Sequence, residues 1–141
     1  RTRTMLIAAG AASAPARAQP APVEGWAFDT LVSGAPLAAP WDVALDGRTL
    51  YVSDRGAGAI LRVDVETGAV DVVASDPNWT ALNAVLIGDG SAPGGDRLIF
   101  VDHNVDGGAS CCDGQVMAVA RSGGAVDVLS VGAPPAAARA R

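Results

Sequence analysis

Lysine is absent from this 141-residue chain, histidine occurs once, and aromatic residues make up only 4%. The two cysteines are adjacent, Cys111 and Cys112. His103 is the single imidazole, from which no Ser-His-Asp arrangement can be argued, and a zinc site lacks the further sulfur or nitrogen ligands it needs. No apolar run reaches about 18 residues, which argues against a membrane span in the body of the chain. No Gly-rich phosphate loop precedes a helix, and no stretch has a helical period of helix length. The basic charge is all arginine, 10 residues against 15 acids, for a net charge of -5. Arg1, Arg3 and Arg17 fall in the first 18 residues, which hold no acid, so the rest carries 7 arginines against 15 acids, or -8. Such a surface repels phosphate backbones and disfavours nucleic acid as a partner. The length suits one modest domain and is too short for two.

What is present begins with a terminal signal. Arg1 and Arg3 precede the short apolar stretch Met5 to Ala12, and small residues lead to Ala16-Arg17-Ala18 before Gln19. This order of basic, apolar and small residues fits a secretory signal over residues 1–18, ahead of a disordered Ala-rich tail as the alternative. The expected location is therefore secreted or periplasmic. A Pro/Ala-rich linker follows over 19–25, and the Pro/Ala/Arg end, 131–141, is expected to be disordered.

Between them, residues 26–130 alternate short β-type runs with turn residues. The runs are Ala27–Val32, Trp41–Leu45, Thr49–Ser53, Ala59–Val65, Val70–Ala74, Asn83–Ile87, Arg97–Val101, Gln115–Ala120 and Val126–Ser130. Leu61, Val63 and Val65 share one face and Arg62 and Asp64 the other, the period of a half-buried strand. Leu98-Ile99-Phe100-Val101 is apolar on both faces and suits a strand covered on both sides. The expected class is all-β. The chain also repeats itself: Pro40–Leu45, Leu50–Asp54, Ile60–Val63 and Gly68–Val73 return as Leu82–Ile87, Leu98–Asp102, Val116–Val119 and Gly124–Leu129. The offset grows from 42 to 48 to 56 through extra residues in Ser91–Asp96 and His103–Gly114, both in turns, where added length costs little. Four strands in roughly 40–50 residues is the period of a propeller blade.

The first copy carries Pro40, Val43-Ala44, Asp46-Gly47, Leu50-Tyr51-Val52-Ser53-Asp54, Ile60-Leu61-Arg62-Val63-Asp64, Thr67-Gly68 and Val70. This pattern resembles the blades of NHL-repeat propellers and of the gluconolactonase and senescence-marker-protein group, over about Trp26 to Ser130. The resemblance implies an incomplete β-propeller of two four-stranded blades, with Phe28–Gly34 as the outermost strand of a preceding blade. Two blades and a strand cannot close a ring of at least four. A fragment of a longer protein, or an early-terminated reading frame, is therefore expected ahead of ring formation by self-assembly. A nine-strand sandwich is the remaining alternative, and the internal duplication argues against it.

The sharpest local pattern is Asp102-His103-Asn104-Val105-Asp106-Gly107, with Asp113 after five more residues. It has the oxygen spacing of a calcium loop, with the residue-108 carbonyl and a water near Ser110 completing the shell. Asp113 stands where a bidentate Glu is usual, and strands flank the loop in place of helices. The alternative is a solvated, Gly-rich loop. Asp54 and Asp102 end equivalent strands, and if they accept hydrogen bonds from the next turn, the loop loses its first ligand. In an oxidising compartment Cys111 and Cys112 have three open states: a strained vicinal disulfide, free thiols or an inter-chain bridge. In gluconolactonase-like propellers an Asn or Asp at the place of Asn83 enters the central channel and ligates a substrate-activating calcium. The first copy has Trp41 there, which cannot ligate, with Asp42 beside it; turn-forming or capping roles are the plainer reading of Asp42 and Asn83. Asn78-Trp79-Thr80 is a glycosylation sequon, but the Lys-free, Ala-rich composition resembles that of GC-rich bacterial genes and argues against its use. The expected function is an exported binding or scaffold module for a small-molecule or protein ligand. The alternative is a calcium-dependent lactonase or esterase, with the metal polarising an ester carbonyl.

Overall fold

The computed structural model describes residues 3–8, 25, 27–88, 96–103 and 114–131. Every regular element among them is a strand, so no described helix is long and apolar enough to cross a membrane. The strands are β1 (Arg3–Ala8), β2 (Ala27–Ser33), β3 (Pro40–Asp46), β4 (Thr49–Asp54) and β5 (Ala59–Asp64). They continue as β6 (Val70–Ser75), β7 (Leu82–Ile87), β8 (Arg97–Asp102), β9 (Gln115–Ala120) and β10 (Asp127–Val131). Strands β3 to β6 form one four-stranded antiparallel sheet in chain order, and β7 to β10 form another. The two sequence copies are thus two separate sheets, each built of consecutive strands. β1 and β2 make a third, two-stranded parallel sheet. Met5 to Ala8 of the apolar stretch read as part of an export signal therefore lie in a strand.

Local chemistry explains the hairpins. At the β5–β6 turn, Asp64 Oδ1 accepts the backbone N–H groups of Glu66 and Thr67 and the Thr67 hydroxyl, at 2.8–3.0 Å. Gly68 then takes φ +74°, and a side chain there would meet the Leu31 carbonyl at 2.9 Å. Only glycine suits both constraints. These hydrogen bonds, the Thr67 and Glu66 amides first, hold the Asp64 carboxyl below its ordinary pKa.

The core has two parts. One lies between the sheets: Tyr51, Ile60, Val73 and Ala74 of the first pack with Trp79 and with Leu82, Val85, Leu98, Phe100, Met117 and Val119 of the second. Trp79 and Phe100 meet edge to face, with ring centroids 5.1 Å apart. The other covers the far face of the first sheet, where Leu50, Val52, Leu61 and Val63 receive Leu31, Val32 and Leu37. Strand β4 is consequently buried on both faces. Strand β8 is not: Leu98 and Phe100 are buried, whereas Ile99 and Val101 are half-buried and join neither part of the core. Its two-faced apolar pattern outruns the covering that the described residues provide.

The packing repeats with the sequence. Leu31 in β2 and Val73 in β6 are 42 residues apart. The Leu31 carbonyl lies against Gly68 of the first unit, and the Val73 carbonyl lies against Gly123 of the second. Leu37 and Trp79, also 42 apart, plug the two parts of the core. β2 therefore stands to the first sheet as β6 stands to the second. At the next such position Leu129 is 54% exposed, against 8% for Val73.

Candidate functional site at the adjoining strand starts

Strands β3 and β7 open the two sheets and lie next to each other. Each begins with an irregularity of register, at Pro40 to Asp42 in one and at Leu82 to Val85 in the other. Trp41 and Asn83 thus sit in matching bulges, where a strand bends and re-aims its side chains. A polar seam joins them. The Val85 N–H donates to Asp42 Oδ2 at 3.1 Å, across the two sheets. Ser53 Oγ accepts the Asp42 N–H at 3.2 Å and donates to the Asn83 carbonyl at 3.1 Å. Asp42 is therefore a stitch between strands.

The ends of β4 and β8 complete this face. Asp54 is fully buried, and its carboxylate accepts the N–H groups of Ala38, Ala39 and Ala57 at 2.8, 2.8 and 2.9 Å. Two of these donors precede Asp54 by a whole hairpin; only Ala57 belongs to the next turn. Asp102 is equally buried, and its Oδ2 accepts the Ala81 N–H at 3.4 Å. The following residues repeat too, since the N–H of Arg55 meets the Ala39 carbonyl and that of His103 the Ala81 carbonyl. Both aspartates tie the start of their sheet to the end of its second strand.

Arg55 and His103 then emerge beside the bulges. The Arg55 guanidinium lies 5.5 Å from the Trp41 ring centroid, a cation–π distance, and its Nε donates to the Thr80 carbonyl at 3.1 Å. Asn83 Nδ2 is 2.6 Å from His103 Nδ1. The His103 imidazole is exposed. The result is an open face with an indole that is 60% exposed, a cation, an amide and an imidazole.

Of the residues expected to hold metal, Asp102 and Asn83 are described, and they engage Ala81 and His103 respectively. Asn104, Asp106, Ser110 and Asp113 lie outside the described residues, as do Cys111 and Cys112. Among the described residues no group of three or more His, Cys, Asp or Glu side chains converges on one point. Sequence reasoning passed over Ser53, Arg55 and Thr80. The signal for Arg55 was available: Asp54-Arg55 and Asp102-His103 are matching acid-then-base pairs at the ends of equivalent strands.

The opposite end is structural. Arg121 reaches Asp46 of the first sheet, Asp96 at 2.6 Å and the Gly88 carbonyl at 3.1 Å, clamping three turns together. Nearby, burial raises the Tyr51 pKa, and the Arg121 charge offsets that rise only in part. Neither a family model nor a curated protein matches the chain.

Proposed function

We propose that residues 26–130 are consecutive blades of a β-propeller of the NHL-repeat or gluconolactonase-like kind, in an exported protein, acting as a ligand-binding module. The blade reading is supported by two chain-ordered four-stranded sheets with adjoining first strands. It is supported also by the recurrence of one packing relation from β2 to β6. Separate units that each bury a face on a neighbour are the basis of repeat architectures. The observation that carries the binding reading is the pairing of an exposed Trp41–Arg55 contact with the Asn83–His103 contact at matching bulges. Aromatic and arginine side chains exposed together are typical of recognition surfaces.

A mixture of small fragments is expected to shift the amide resonances of residues 41–42, 53–55, 80–84 and 103. Shifts confined elsewhere would move the ligand face. Lactones and aryl esters are expected to go unhydrolysed with or without chelator; chelator-sensitive turnover would replace the binding module with a hydrolase. Calcium held by Asp102, Asn104, Asp106, Ser110 and Asp113 is a further part of the proposal and is supported by the loop spacing. The Ala81 N–H competes with a metal for Asp102 Oδ2. Millimolar calcium is expected to raise the melting temperature of the parent chain and not that of Asp106→Ala; an unchanged parent removes the site.

A further inference from the structure

In this acidic chain nearly every described arginine side chain is matched to an acid. Arg48 pairs with Glu66, Arg62 with Asp71, Arg97 with Asp127, and Arg121 with Asp46 and Asp96. Arg55 differs. Among the described residues its guanidinium is held by the Trp41 ring and the Thr80 carbonyl, with no carboxylate in ion-pair range. These two contacts orient the head group without neutralising it. The acids next in sequence to Arg55 and Trp41 hold backbone groups: Asp54 three N–H groups and Asp42 the Val85 N–H. Among the described residues, a guanidinium without an ion pair therefore stands beside a largely exposed indole.

We infer that this face takes a small monocarboxylate with a flat, aromatic body. The reasoning deepens the ligand-face reading above and rests on it. A carboxylate matches the planar N–H fork of arginine, and the Nη groups of Arg55 are the donors it would engage. The flat body lies on the part of the Trp41 indole that the guanidinium leaves uncovered, in the offset geometry that aromatic pairs prefer. Ser53 holds the Asp42 and Asn83 backbones together, so both bulges are fixed before the ligand arrives. A phosphate needs more positive charge than one arginine gives against a chain of net charge -5.

The test is a titration of the full chain with benzoate, and in parallel with benzamide, its neutral isostere, followed by tryptophan emission and calorimetry. Trp79 is buried against Phe100, so it contributes little to a surface quench. Benzoate is expected to bind saturably and benzamide about tenfold or more weaker, since a charge-assisted pair is lost. Arg55→Gln and Trp41→Ala should each weaken benzoate by a similar factor, and Arg55→Lys by less. Unchanged urea midpoints show that these exposed-site variants remain folded. Benzoate binding that survives Arg55→Gln overturns the inference. Benzamide binding equal to benzoate, and abolished by Trp41→Ala, overturns the carboxylate class while leaving the ligand face in place. No saturable response to either probe also overturns it, and the fragment shifts then decide the ligand face separately.

Discussion

Replacing Asp54 tests the device on which both sheets depend. Its carboxylate is inaccessible to solvent and satisfies three backbone N–H groups, those of Ala38, Ala39 and Ala57. Hydrogen bonds to a charged acceptor contribute about 1.5–3 kcal/mol each. The three donor alanines are exposed, so water can recover part of the loss and the lower value applies to each. Asp54→Ala is then expected to cost about 4 kcal/mol, a large share of the ~5–15 kcal/mol of a typical domain. Asp54→Asn keeps the acceptor facing Ala39 and Ala57 but turns an N–H toward that of Ala38. Its expected cost is about 2 kcal/mol. Urea unfolding followed by tryptophan emission, with Trp79 as the core reporter, measures both. With a slope of about 2 kcal/mol per molar, Asp54→Ala should lower the midpoint by roughly 2 M. A loss under about 1 kcal/mol, or equal losses for Ala and Asn, would refute a structural role for the carboxylate.

Three further outcomes follow from the same geometry. Phe100→Ala should cost about 3–5 kcal/mol, and its cost should change in an Ile60→Ala background because both residues line the core between the sheets; strictly additive urea midpoints would deny that shared core. Asp64 has a lowered folded pKa, so its contribution is present above the ordinary carboxylate value and is lost as pH falls through the lowered one. Asp64→Asn should therefore flatten the acid limb of the stability–pH curve, and an unchanged limb counts against the turn hydrogen bonds. Tyr51 is the sole tyrosine and its pKa is raised by burial. Its contribution is complete below the ordinary tyrosine value and is lost as pH rises through the raised one. Phenolate absorbance should appear at higher pH in the folded than in the urea-unfolded chain.

The strands were legible because their signals are local. Alternation in Leu61-Arg62-Val63 and turn residues such as Asp46-Gly47 fix a strand and its hairpin within a few positions, and their recurrence exposed the two sheets. The seam between the sheets was hidden because its partners are far apart in the chain. Asp42 reaches Val85 across 43 residues, and Ser53 reaches Asn83 across 30. The bulges that re-aim Trp41 and Asn83 leave no mark in composition or period, since they arise from how two strands register. Trp41 accordingly looked like a defect in a metal site, when its neighbour is Arg55. The parallel pairing of Arg3–Ala8 with Ala27–Ser33 was hidden for the same reason, since its partners are far apart in the chain.

The distribution of polar contacts along the sheet interface bears on where function resides. Between the sheets the contacts are apolar, and apolar packing has no directional preference of its own. Register must then come from the two ends. At one end Arg121 spans Asp46, Asp96 and the Gly88 carbonyl, a clamp in which the cation is matched by two acids. At the other, Asp42 and Ser53 do the joining through backbone groups of Asp42, Asn83 and Val85. Backbone N–H and carbonyl groups satisfy that seam, so it does not need Trp41, Arg55, Asn83 or His103 side chains to hold the sheets together. Those four are placed by the seam and make their own contacts beside it, Arg55 with Trp41 and Thr80 and Asn83 with His103. The end closed by Arg121 is matched in charge, and the end closed through Asp42 and Ser53 is the one on which the proposed ligand face stands.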